Sequence, residues 1–148
     1  MKAIIFSIIT LALLGCKSQV EKPNKLVDTG RFEIEVPHNW KFTPLQGMDS
    51  FVGKFTANKL YLDFDCSEMG YANSIVPNDD PDYQIQNEKV GRYQRKLVRP
   101  LPGKKGSTGV YFSDSKSTFN FNLVGRDLSP ENQELAIKAF KTIKFKRD

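Results

Sequence analysis

Two groups of acidic residues in this sequence have a spacing that could bind a cation. Asp63 and Asp65 lie two residues apart, so a strand would place both on one face, and Glu68 follows closely. Calcium takes clustered carboxylate oxygens, which makes these three residues candidate ligands of a calcium ion. The alternative, which we favour, is a solvated strand face. No other cofactor is predicted.

The second acidic group lies in a loop-like stretch over residues 68–82. Asp79, Asp80 and Asp82 have neither the spacing nor the glycine of an EF-hand loop, so a surface loop is the better interpretation. Loops fixed on a sheet often carry binding residues. We therefore predict contacts with a protein partner at Tyr71, Asn73 and these three aspartates.

The sequence offers no convincing pair of nucleophile and base. His38 is the sole imidazole, and it lies beside Pro37 in a predicted turn, where it would serve at the surface. Ser113 and Lys116 match the Ser-x-x-Lys motif of penicillin-binding proteins, but the accompanying Ser-Asp-Asn and Lys-Thr-Gly motifs are missing. Cys66 ends an alternating apolar strand and is interpreted as a core residue, a reactive thiol being the alternative. We expect no enzymatic activity.

The N-terminus has the features of a bacterial lipoprotein signal. Lys2 precedes an apolar stretch over residues 3–14, which is shorter than a membrane span. Gly15 and Cys16 complete a lipobox, in which the cysteine thiol receives a diacylglyceryl group and the small residue admits the peptidase. An ordinary secretory signal is the alternative. We predict a lipid anchor at Cys16 in the cell envelope, and the absence of a following aspartate favours the outer membrane.

These features divide the chain into a signal peptide (1–15), a lipidated cysteine with a flexible tether (16–30) and one domain (31–148). The length of 148 residues allows one domain, and 39% hydrophobic residues suffice for its core. The formal net charge is +5, and basic residues between 92 and 105 interleave with Tyr93. An envelope location argues against nucleic acid, so a solvated face or weak attraction to anionic lipid is preferred.

The domain is predicted to be α+β, with an antiparallel sheet of about six strands covered by helix. Alternation of apolar residues marks the strands, and the loop-like stretch over 68–82 separates two groups of them. Ser129 is the predicted N-cap of a helix that continues to Phe140, with Pro130 at its first position. The predicted strands are 31–36, 50–55, 59–66, 83–90, 92–98, 107–113 and 117–124, with a short one within 142–146.

The order of these elements resembles the PsbP-like superfamily, which includes plant PsbP, DcrB-type bacterial lipoproteins and a Ran-binding import factor. The matching segments are RFEIEVPHNW at 31–40, the aromatic strand at 118–124, and the helix with its following strand at 129–145. Asp49 to Gly53 and Gly70 to Asn73 are similar to small lipoproteins of the Bacteroidetes group. The resemblance implies an α/β/α sandwich around an antiparallel sheet and a non-enzymatic role in binding proteins or assisting assemblies.

From the sequence we therefore expect a lipid-anchored, monomeric envelope protein that binds an unidentified envelope protein. The alternative is a periplasmic lipoprotein that binds a small ligand or a cation.

Overall fold

A computed structural model of the protein describes residues 24–146. The predicted signal peptide and the predicted lipidation at Cys16 lie outside the described residues. Within them, alternating apolar residues form ten strands, and one capped apolar stripe forms a helix. The strands are β1 (Lys25–Asp28), β2 (Phe32–Val36), β3 (Lys41–Leu45), β4 (Phe51–Ala57), β5 (Leu60–Ser67), β6 (Tyr83–Val90), β7 (Tyr93–Pro100), β8 (Ser107–Asp114), β9 (Asn120–Arg126) and β10 (Lys144–Phe145), and the helix α1 is Pro130–Phe140.

The strands form two antiparallel sheets. The larger sheet has seven strands in the order β3-β4-β5-β9-β8-β7-β6, and the smaller one has the order β1-β2-β10. The predicted class, an antiparallel sheet with a helix, is confirmed, but the prediction of about six strands in one sheet is wrong. β1 and β3 were missed because both are short and half-exposed, with little hydrophobic alternation.

The first strand lies inside the segment predicted to be a tether. Lys25 pairs with Val36 and Asp28 pairs with Glu33, so β1 forms an edge of the smaller sheet. Val27 packs against the core, which supplies the apolar contact that fixes this short strand. The tether predicted over 16–30 is therefore too long at its C-terminal end.

The core lies between the two sheets and is rich in aromatic rings. The Phe32 ring of β2 contacts Phe64 of β5 and Phe121 of β9, with centroids 5.2 and 4.9 Å apart. Trp40 follows the turn after β2 and is 1% exposed. Cys66 is buried at the end of β5, as its alternating strand predicted. These contacts fix the smaller sheet on one face of the larger one.

The helix covers part of the same face. Its N-cap Ser129 accepts a hydrogen bond from the Asn132 amide at 3.3 Å, as the sequence predicted. Ala136, Ala139 and Phe140 are its buried side chains, and they pack mainly toward β8 and β2. No described residues form a helix of the length and hydropathy needed to cross a membrane.

A loop, rather than a second helical layer, lies on the other face of the larger sheet. The buried Lys96 ammonium donates to Ser74 Oγ at 3.1 Å and to the Val76 carbonyl. The Asn122 amide donates to the Asn73 carbonyl at 3.0 Å. The 68–82 segment thus crosses the sheet as a succession of bends and turns, and between residues 24 and 146 α1 is the sole helix.

Candidate functional site

Several loops and turns meet at one end of the two sheets, which we call the Arg31 end. The β1–β2 turn (29–31), the β3–β4 loop (46–50), the start of the long loop (68–72) and the β8–β9 turn (115–119) all lie there. Antiparallel pairing produces this convergence, because each hairpin reverses the chain and alternate connections therefore lie at the same end of the sheet. Loops at the end of a rigid sheet are a common place for binding residues.

Two adjoining grooves open at the Arg31 end. One has a volume of about 270 Å³ and the other about 510 Å³. Arg31, Cys66 and Glu68 line both grooves, and we call the pair of grooves the depression. Phe145 and Phe119 add aromatic surface to the smaller groove, and the β3–β4 loop forms a wall of the larger one.

A buried carboxylate organises the smaller groove. The Asp114 side chain is 1% exposed and forms an ion pair with Arg92. It also accepts hydrogen bonds from the Lys116 amide at 3.0 Å and from Ser117 Oγ at 2.9 Å. These interactions, the Lys116 amide first, lower the pKa of Asp114 despite its burial. The Ser113–Lys116 motif is therefore a strand end and turn rather than a nucleophile.

The Cys66 thiol at the floor of the depression is not poised for chemistry. Burial, reinforced by the nearby Glu68 carboxylate, raises its pKa to about 12. A thiol with this pKa is protonated near neutral pH, and thiolate is the form that attacks or binds metal. His38, the other candidate for chemistry, is exposed in the turn between β2 and β3 at the opposite end.

Exposed apolar side chains surround the depression. Met48 is fully exposed in the β3–β4 loop, and Leu45 beside it is 44% exposed. Met69 and Tyr71 are more than half exposed, and both of their amides donate to Ser67 Oγ at 3.1 Å. The sequence analysis missed Leu45 and Met48, although a methionine in an otherwise polar loop could have marked them.

The structure separates the five predicted partner contacts. Tyr71 lies at the Arg31 end, whereas Asn73 lies over the sheet face, with its carbonyl bound by Asn122. The aspartates lie at the opposite end, beside the start of β6. Asp80 accepts from the Asp82 amide at 3.0 Å, and Asp82 pairs with Lys104 at 2.9 Å. Asp79 is exposed in the same turn.

The three carboxylates proposed as calcium ligands do not converge. Asp63 lines a different groove near the β4–β5 turn, while Glu68 lines the depression at the Arg31 end. Their separation follows from β5, because Asp63 lies in the middle of that extended strand and Glu68 follows its last residue, Ser67. In the part of the chain from 24 to 146, no three histidine, cysteine or acidic side chains are placed to hold a metal ion.

The basic stretch that begins at Arg92 is divided between the two faces of the larger sheet. Arg95 points to the inner face, where it pairs with Glu88 at 2.8 Å. Its neighbour Lys96 points to the outer face and holds the long loop. Alternation along β7 therefore disperses these charges instead of collecting them into one patch.

Comparison of the chain with protein-family models gives no match. Comparison with curated proteins gives no significant relative. The interpretation of the Arg31 end therefore depends on its own geometry.

Proposed function

We propose that this chain is a lipid-anchored, non-catalytic envelope protein that binds a protein partner at the Arg31 end. The observation that carries the proposal is the depression lined by Arg31, Cys66 and Glu68. Exposed apolar side chains lie at its rim and on the neighbouring loop, namely Leu45, Met48, Met69 and Tyr71. An exposed apolar group around a polar depression is typical of an interaction site.

The chemistry of the rim supports a protein as the partner. Methionine, tyrosine and arginine are enriched in protein interfaces, and Met48, Tyr71 and Arg92 supply all three types. Arg92 is half-exposed while it pairs with buried Asp114, so its guanidinium is fixed in position before a partner arrives. A pre-positioned side chain loses less conformational entropy on binding.

The position of the first described residues supports a lipid anchor that leaves the Arg31 end accessible. Lys25 pairs with Val36, which places the entry of the described chain at the end opposite Arg31. Residues 17–24 would separate a lipidated Cys16 from β1, and a fully extended chain of that length spans at most about 27 Å. The proposed anchor thus positions the domain near the membrane with the Arg31 end directed away from it.

We further propose that the domain is a distant member of the PsbP-like superfamily. The three sequence segments that carry the resemblance all supply core residues, namely Trp40 after the opening strand, Phe121 in the aromatic strand and Phe140 in the closing helix. In this proposal the irregular 68–82 segment takes the place of a second helical layer, in a variant of the α/β/α arrangement.

Site-specific photo-cross-linking in living cells tests the binding proposal. A photoreactive amino acid at position 48 or 71 is expected to give one discrete adduct with the lipidated protein. The same residue at position 59, in the β4–β5 turn at the opposite end, is the matched control and is expected to give none. Adducts of equal yield from all three positions would contradict the assignment of the surface.

The anchor is tested separately. We expect Cys16→Ala to abolish incorporation of a labelled fatty acid and to release the protein from the membrane fraction. Retention of the label in this variant would contradict lipidation at Cys16, whatever the result of cross-linking.

A further inference from the structure

The two edges of the seven-stranded sheet differ in how they are protected. β3 forms one edge with five residues and contains Pro44, which has no amide hydrogen to offer. β6 forms the other edge with eight residues and no proline, and among residues 24–146 it has β7 as its one strand neighbour. A long edge without proline is a template for another strand.

The hydrogen-bonding groups of β6 that face away from β7 can be identified. The two-residue turn Gly91-Arg92, with Gly91 at φ +62°, makes Val90 and Tyr93 the first bonded pair. Counting back by twos, the amide and carbonyl groups of Ile85, Asn87 and Lys89 face outward. Two observations agree with this count. The Leu101 amide donates to the Asp82 carbonyl, and Pro100, with no amide hydrogen, lies opposite Tyr83.

A groove of about 410 Å³ accompanies this edge on the inner face of the sheet. α1 packs mainly on β8 and β2 and leaves the inner-face side chains Gln84 and Gln86 of β6 exposed. Half-buried Ile137 of the helix lines the groove beside Leu97 of β7, which is 3% exposed. Its polar lining is Gln84, Gln86, Arg99, Glu134 and Lys141.

Of the two cations that line this groove, Arg99 and Lys141, only Arg99 has an acidic partner among residues 24–146. Arg99 pairs with Glu134 at 2.5 Å, and Arg95 pairs with Glu88 at 2.8 Å. Lys141 is exposed at the C-terminus of α1 and makes no ion pair with residues 24–146. An occupant of the groove would therefore gain from a carboxylate near Lys141 and an aliphatic side chain near Ile137.

We propose that β6 and α1 form a second binding site, which takes an extended segment of a partner protein as an added strand. The segment bonds to the outward groups of Ile85, Asn87 and Lys89. Every second side chain then points toward the helix. Ile137 and Lys141 are one helical turn apart, close to the spacing of alternate strand residues, so a Val and an Asp two positions apart meet both. This site requires neither the lipid anchor nor the Arg31 end.

The test uses the synthetic peptide Thr-Asp-Thr-Val-Thr-Asp-Thr, which presents valine between two aspartates in either strand direction. The mature chain with Cys16→Ser is titrated with the peptide and followed by amide chemical shifts. We expect changes confined to β6 and the second half of α1. The twin peptide with lysine for aspartate is expected to bind about fivefold more weakly, the scale of one partly exposed ion pair. The threonine amides would bond to β6 in an antiparallel pairing, and the aspartate and valine amides would bond to it in a parallel pairing. N-methylation of both sets is expected to abolish binding.

Matched variants separate the role of the groove from general charge. Lys141→Glu is expected to reverse the preference between the two peptides, whereas Lys138→Glu, which lies on the exposed side of the same helix, is expected to leave it unchanged. Equal binding of the N-methylated peptide, no binding at millimolar concentration, or shifts at another surface would each overturn the proposal. If the free protein self-associates and Asn87→Pro removes this self-association, the β6 edge binds a second copy of the chain, and the proposal is also overturned.

Discussion

At the scale of single residues, Asp114 is the group on which the geometry of the Arg31 end depends. Its carboxylate fixes the Arg92 guanidinium and closes the β8–β9 turn through the Lys116 amide and Ser117. Every one of these interactions favours the ionised form. A residue at a hairpin end thus both stabilises the fold and positions a candidate binding side chain.

The stability of the protein should therefore depend on the ionisation of Asp114. The pKa of this carboxyl in the folded state lies below its ordinary value of 3.8. The unfolded chain then binds the proton more readily, so the contribution is fully present above pH 3.8 and is lost as the pH falls through the folded pKa. We expect Asp114→Asn to lower the urea midpoint at pH 7 and to flatten its decline between pH 5 and the acid limit of folding.

The matched control for this measurement is Asp49→Asn, because Asp49 is exposed in the β3–β4 loop at the same end. It should leave the urea midpoint and its pH profile close to those of the unchanged protein. If the urea midpoint of Asp114→Asn falls with decreasing pH as steeply as that of the unchanged protein, the role given to Asp114 is contradicted.

At the scale of elements, the long loop shows how a segment without regular structure is held in place. Its carbonyl and amide groups bond to side chains of the sheet beneath it, including Asn120, which accepts from the buried Ala72 amide at 3.0 Å. Gly109 of β8 leaves room for the loop, because a Cβ atom there would lie 2.5 Å from Ile75 Cδ1. The sheet surface and the loop are therefore fitted to each other.

Lys96→Met should loosen this loop with little effect on the rest of the domain. The variant removes both hydrogen bonds that Lys96 donates to the loop. It also removes a buried positive charge, and burial destabilises that charge because it lowers the pKa of Lys96. We expect faster amide hydrogen exchange over residues 72–76, while the free energy of unfolding changes by less than about 1 kcal/mol because the two effects oppose each other. Hydrogen exchange by mass spectrometry, with Lys89→Met as an exposed control on β6, checks this expectation. Unchanged exchange over 72–76 would show that the loop is held by other contacts.

At the scale of the whole molecule, an aromatic cluster joins the two sheets. Phe121 of β9 lies at its centre, with ring centroids 4.9 Å from Phe32 and 5.3 Å from Phe145 of the smaller sheet. Within the larger sheet it faces Phe64 and Phe112. The position of the smaller sheet, and with it Arg31 and the chain entry, depends on this packing.

Phe121→Ala should therefore destabilise the entire domain. Removal of a fully buried ring costs transfer free energy and leaves a cavity, about 3 to 5 kcal/mol together. Urea unfolding followed by the fluorescence of Trp40 measures the change. Tyr61→Ala, at a half-exposed ring on the outer face, is the control and should cost far less. A loss below about 1 kcal/mol in Phe121→Ala would show that the sheets do not depend on this ring.

Local patterns in the sequence were enough to find most elements of this fold. The strand Tyr83–Val90 and the helix from its Ser129 cap to Phe140 were predicted with the bounds that the structure has. Both patterns are set by near neighbours, namely alternation in a strand and capping in a helix. The grouping of the candidate metal ligands and partner contacts was predicted less well. Asp63 and Glu68, and likewise Tyr71 and Asp82, belong to the same stretch of sequence but lie far apart along the strand or loop that carries them.

What the sequence determined by itself was therefore the class of fold, the helix that follows Ser129, and the burial of residues such as Cys66. The tertiary structure alone decided that β5 pairs with β9, that β1 joins β2, and that Arg31, Cys66 and Glu68 line one depression. The physical reason is that periodicity records which face of a segment is buried, whereas partner choice depends on packing between segments far apart in the chain. The proposed binding surfaces exist only after that choice, since both lie where separate elements meet.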